Sequence, residues 1–89
     1  MAATHRVFSV GSSPVRIVNA DEAGMFAHAD ISVEGANIRF MIDGNNPGVN
    51  TGHLLFQNQF YELEGGESIH QFRMAAPSGT ATVRVSLRR

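Results

Sequence analysis

Apolar and polar residues alternate one by one along most of this chain. Near the C-terminus Ala81, Val83, Val85 and Leu87 fall on one face, and Thr80, Thr82, Arg84 and Ser86 on the other. Ile38, Phe40 and Ile42 alternate with Arg39, Met41 and Asp43, and Ala27, Ala29, Ile31 and Val33 alternate with His28, Asp30, Ser32 and Glu34. A period of two with one dry and one wet face predicts antiparallel sheets packed on a single core. Turn residues interrupt the alternation at short intervals. Gly11-Ser12-Ser13-Pro14 divides a strand over residues 6–10 from one over 15–18, and residues 19–24 lead into a strand over 25–33. Glu34-Gly35-Ala36-Asn37 is a tight reversal, Gly65-Gly66 precedes a strand over 68–74, and Pro77-Ser78-Gly79 turns that strand into a last one over 80–88. No segment holds a helical period; residues 21–26 have room for one turn, which Gly24 interrupts. About seven short strands and one long loop from Gly44 to Gly52 predict an all-β domain, a compact antiparallel β-sandwich or flattened barrel.

The chain has 89 residues, enough for one domain, with residues 1–6 expected as an extended N-terminal arm or a strand for a neighbouring subunit. A domain this size buries only a little over ~60% of its unfolded surface. There is no cysteine to reinforce it, and the four histidines at positions 5, 28, 53 and 70 have no zinc-ligand spacing. Oligomerisation is the remaining common source of stability, and a homo-oligomer is expected, a trimer before a dimer. The formal net charge of −1 argues against nucleic acid as a partner. All seven basic residues are arginine, which fits a surface covered by partners and equally fits the codon usage of a GC-rich genome. No apolar run approaches the ~20 residues that span a bilayer, and the first six residues lack the apolar stretch of a secretory signal. The expected setting is a cytosol, or a larger assembly built there, without a membrane partner.

Four groups of residues invite a chemical reading. Asp43, Asn45 and Gly48 sit where a calcium-binding EF-hand loop has ligands and glycine, but its twelfth position is Leu54, which offers no carboxylate. Turn formation explains the Asn, Gly and Pro of this loop better, and its length marks it as a contact loop. His28, Asp30 and Ser32 share a strand face, yet neighbours two apart stand ~6.6 Å apart and project in parallel, so no catalytic relay is expected. Glu62, Glu64 and Glu67 cluster near the Gly65-Gly66 turn without an aromatic platform for a sugar; their expected role is to oppose arginines such as Arg73, Arg84, Arg88 or Arg89. Phe40 and Phe72 fit inward positions. Phe56 and Phe60 flank Gln57-Asn58-Gln59, where core packing is the default for each and one of the two is a candidate for cover by a neighbour.

Read as one unit, residues 38–84 run from Ile38-Arg39-Phe40-Met41-Ile42 through Asp43-Gly44-Asn45-Asn46-Pro47 to Thr51-Gly52-His53-Leu54-Leu55. They continue through Tyr61-Glu62-Leu63, Gly65-Gly66-Glu67, Phe72-Arg73 and Ser78-Gly79 to a closing strand. This order resembles a pattern recurring in small structural proteins of tailed bacteriophages: a strand ending in Ile-Asp-Gly, an Asn/Pro/Thr-rich loop, a Gly-His-Leu-Leu step, a Gly turn, a Phe-Arg strand and a Val-Arg-Val strand. The family's Asp-Gly and Thr-Gly-His-Leu-Leu segments fall on Asp43, Gly44, Thr51, Gly52, His53, Leu54 and Leu55; where it has Pro-Thr, this chain has Pro47-Gly48. The resemblance implies a non-enzymatic virion protein without a cofactor. It points first to a capsid decoration or cement protein on the shell surface, bound to the major capsid protein and assembled in the bacterial host cytoplasm. A tail, neck or fibre module of the same fold is the alternative, and a carbohydrate- or host-surface-binding module comes after it. On this reading the contact loop presents Asp43, Asn45, Asn46, Pro47, Asn50 and Thr51. The N-terminal contacts are His5, Arg6 and Phe8, and the interface charges are Glu62, Glu64, Arg84, Arg88 and Arg89.

Overall fold

The computed structural model describes residues 4–48 and 50–89. Eight strands form two four-stranded antiparallel sheets, packed face to face as the alternation predicted. The first sheet has the order β1-β8-β3-β6, from β1 (Thr4–Val10), β8 (Ala81–Arg88), β3 (His28–Glu34) and β6 (Phe60–Glu64). The second has the order β2-β7-β4-β5, from β2 (Val15–Arg16), β7 (Arg73–Ala75), β4 (Ile38–Met41) and β5 (His53–Leu55). In the first sheet the register sets Val83 opposite both Phe8 and Val33, and Val85 opposite both Arg6 and Ile31. The inward residues Ile31, Val33, Val83, Val85 and Leu87 are fully buried.

The second sheet closes the core through an aromatic stack. Phe40 stacks on Phe72 with ring centroids 5.3 Å apart and meets Tyr61 of the first sheet at 4.8 Å. Phe40 and Phe72 are therefore the core residues their positions predicted, at 4% and 0% exposure. Arg6 fastens the two layers at one side: its guanidinium donates to the Ile17 carbonyl at 3.0 Å, just beyond β2, and to Glu22 in the 3-10 turn Ala20–Glu22.

Four expectations need correction. Residues 4–6 are no free arm: Thr4, His5 and Arg6 pair with Leu87, Ser86 and Val85 inside the same chain; residues 1–3 lie outside the described ones. The strand expected over 68–74 is a short helix, α1 (Gly66–Gln71), followed by β7. Its buried residues explain the change, because Ile69 and Phe72 are three apart, a helical spacing that puts both against the core, and only Phe72 and Met74 keep the strand period. The strand expected over 25–33 starts at His28, because Gly24 at φ +76° turns the chain and Phe26 turns inward. Ile42, placed on a dry face by alternation, is 37% exposed, because β4 ends at Met41 and the chain turns out at Asp43-Gly44.

Candidate contact surface

The long loop is folded onto its own chain more tightly than its composition suggested. Asp43 accepts from the Asn45 backbone N–H at 3.1 Å and from the Asn45 amide at 3.0 Å, the local side-chain-to-backbone turn that Asp favours. Asn46 Oδ1 accepts from Arg73 at 3.0 Å, and Gly48 donates to the Thr51 carbonyl at 3.0 Å. Arg39 donates to the carbonyl of Gly52, whose φ of +109° would bring an added Cβ to 2.9 Å from the Phe40 carbonyl oxygen. Pro47, expected at the contact surface, is buried; Asp43, Asn45, Asn46, Asn50 and Thr51 are exposed.

The three N-terminal candidates separate. Only His5 faces solvent, with Nδ1 3.5 Å from Ser86 Oγ. Phe8 packs against the core, and Arg6 lies 5.7 Å over the Phe26 ring and bonds Glu22 at 2.8 and 2.5 Å. The Arg6 bonds, with a further bond from the Asn19 N–H, hold the Glu22 carboxyl at about 2, well below the usual carboxylate range. The Arg6 pKa is raised in return, through its hydrogen bond to Glu22. This pair is structural, and no residue spacing signals it because its members lie in different elements.

The predicted interface charges meet on the outer face of the first sheet. Asp30 stands opposite Glu62 and Ser86, and His28 stands opposite Glu64 and Arg88. His28 Nε2 lies 3.0 Å from Asp30 Oδ1 and its Nδ1 3.6 Å from Glu64 Oε1, while Arg88 donates to Asp30 Oδ2 at 3.1 Å. His28 and Asp30 thus meet, although their side chains start in parallel from one strand face. Strand twist and the two side-chain torsions of each residue close the ~6.6 Å backbone separation. No relay results among the described residues. Ser32 stands opposite Arg84 and Phe60, away from the imidazole, and Asp30 is engaged by His28 and Arg88 rather than orienting His5 beside Ser86. Arg84 donates to Glu34 at 3.0 Å, and Arg89 is exposed at the chain end. Donor atoms of His28, Asp30 and Glu62 lie within 4.8 Å of one another, a set able to hold a metal ion. Histidine spacing gives no sign of this set, since it holds one histidine and Glu62 comes from another strand; the shared wet-face phase of the two strands is its only signal in the sequence.

The outer face of the second sheet is different in kind. Arg16 and Arg73 stand directly opposite each other, bonded to the His70 carbonyl and to Asn46 respectively, and Arg39 lies two positions along from Met41, the other neighbour of Arg73. Beside this sheet the turn from β5 to β6 is held by Gln59 N–H donating to Phe56 at 3.1 Å and Asn58 N–H to Val33 at 2.6 Å. It leaves both flanking rings out of the core: Phe56 is 50% and Phe60 62% exposed. On the first sheet's outer face one row reads Val7, Arg84, Ser32, Phe60, with Val7 52% exposed at the opposite edge. An open cleft of about 450 Å³ at one end of the sandwich is lined by Gly35, Asn37, Arg39, Leu54, Gln57 and Pro77.

Comparison with protein-family models, with curated proteins and with solved structures yields no match. The likeness to tailed-phage structural proteins therefore rests on the order of residues 38–84 alone.

Proposed function

We propose that this chain is a non-enzymatic structural protein of a tailed-phage virion, one that decorates or cements the capsid shell through the major capsid protein. The observation that carries a contact role is the pair Phe56 and Phe60, two large rings left half or more in water, while the virion assignment rests on the order of residues 38–84. Apolar side chains grouped on a surface mark a place where another protein sits. The directly opposed Arg16 and Arg73 support the same reading, since guanidinium groups pair with carboxylates across interfaces. A cement protein works by adding buried area between capsomers. Many copies, each contributing an ordinary interface of ~1,600 Å², make rupture of the shell depend on losing many contacts together.

The test is quantitative mass spectrometry of purified particles, with a Phe56→Ser/Phe60→Ser double variant supplied in place of the wild type. Hundreds of wild-type copies per particle and a variant that folds but fails to load are expected. About six or twelve copies would move the protein to the tail or neck; absence from particles would overturn the reading.

A further inference from the structure

We propose that the outer face of the first sheet holds one divalent transition-metal ion of the zinc type, bound by His28 Nε2, one oxygen of Asp30 and one oxygen of Glu62. The inference is independent of the assembly reading. Asp30 and Glu62 are direct cross-strand partners, and His28 lies two residues before Asp30 on the same face, so all three side chains rise from adjacent positions of one pleated surface. A tetrahedral ion with bonds of ~2.0–2.2 Å needs donors roughly 3.4 Å apart. His28 Nε2 and Asp30 Oδ1 are already 3.0 Å apart, and the full set lies within 4.8 Å. Glu62 is exposed, so its side-chain torsions are free to bring its carboxylate to the ion.

The surrounding groups are those that a bound ion requires. Glu64 Oε1 lies 3.6 Å from His28 Nδ1, on the side of the ring away from the ion. At that distance the two are in ion-pair contact without a hydrogen bond; an ion that takes the place of the Nε2–Asp30 contact would leave the ring proton at Nδ1, facing Glu64, as in the carboxylate–histidine–metal arrangement. Arg88 donates to Asp30 Oδ2, which turns Oδ1 toward the imidazole and leaves it as the ligand oxygen. Three carboxylates against one guanidinium give the site a net negative charge suited to a dication. The imidazole ligand selects zinc, cobalt or nickel over magnesium and calcium, which prefer all-oxygen shells. Three protein ligands leave a fourth position for water or for a donor from another molecule.

Isothermal titration of the full chain with zinc chloride, in a buffer that does not chelate metals, tests the site. One zinc per chain is expected, with magnesium chloride giving no heat. His28→Ala and Glu62→Gln each lower the affinity at least ~10-fold, and Glu64→Gln, acting through the imidazole, lowers it by ~10-fold or less. In the wild-type protein zinc shifts the imidazole resonances of His28 and leaves those of His5, His53 and His70 in place, a readout that needs no variant to fold. Cobalt gives the visible absorption of a tetrahedral site. Absence of zinc heat, unshifted His28 resonances, or unchanged affinity in His28→Ala would each overturn the proposal.

Discussion

The two sheets of this sandwich are built on different principles. The first has strands of seven, eight, seven and five residues in long unbroken register, and carboxylates and arginines pair on its outer face. The second has strands of two, three, four and three residues, and it is held by what surrounds it: the Phe40–Phe72 stack and arginine bonds to the His70 carbonyl of α1, to the Gly52 carbonyl and to the Asn46 amide. A long strand specifies itself through period-two burial and backbone pairing. A strand of two or three residues has too few pairs for that, and tertiary packing decides its place.

If that contrast is right, the largest effect falls on the aromatic stack. Phe72→Ala removes a fully buried ring whose partner Phe40 spans the layers, and it is expected to lower stability by about 3–5 kcal/mol. Ile31→Val in the first sheet, where a full-length ladder stays intact, is expected to lose about 0.5–1.5 kcal/mol. Urea unfolding measures both. Phe72→Ala falling at or below Ile31→Val would show that the second sheet stands without its stack.

The next effect lies at the fastening between the layers. Glu22 titrates at about 2 when folded, below its unfolded value near ~4.3, because Arg6 and the Asn19 N–H hold the carboxylate form. A depressed folded pKa contributes stability that is complete above the unfolded value and lost as pH falls from about 4.5 toward 2. With the Glu22 side chain 14% exposed, the pair is only partly screened, and Glu22→Gln is expected to lose about 1–2 kcal/mol at pH 7. The variant should also show a flatter stability profile between pH 4.5 and pH 2, followed by thermal melting. A profile as steep as that of the wild type would place the acid sensitivity on another carboxylate.

The same contrast governs what was legible beforehand. Alternation over residues 81–87 and 29–33 located β8 and β3 and their buried faces, because seven or eight residues carry enough periods to fix the phase. It fails over residues 66–71, where a helix of under two turns breaks the period of two and buries Ile69 at helical spacing. The polar face holding His28, Asp30, Glu62 and Glu64 was legible as a face, since all four share the wet phase of their strands. The contact between His28 and Asp30 was not, because rise per residue fixes where side chains start and torsions fix where they end. Phe56 and Phe60 are legible as a pair, but their common exposure depends on the turn over residues 56–59, whose bonds go to Val33 at the end of β3 and to Asn37 in the turn that follows it.

The smallest effect sharpens the account of the first sheet. Arg84 and Glu34 bridge β8 and β3 at 3.0 Å, as close as many strong pairs, yet their side chains are 47% and 52% exposed. Water competes for both groups, and ordering two long side chains costs entropy, so the pair is worth about 0.2–1 kcal/mol. Arg84→Gln is therefore expected to lower stability by no more than that at low salt. The difference from wild type should vanish near 1 M sodium chloride, where the screening length is ~3 Å. Arg6 and Glu22, at 27% and 14% exposure, should keep most of their contribution at that salt concentration. Chemical unfolding in urea at both salt levels makes the comparison, since guanidinium chloride would itself supply the salt. Should Arg84→Gln cost as much as Glu22→Gln, and cost it in salt as well, burial would not be what ranks the two pairs. The outer face of the first sheet would then contribute to its stability as the inner face does.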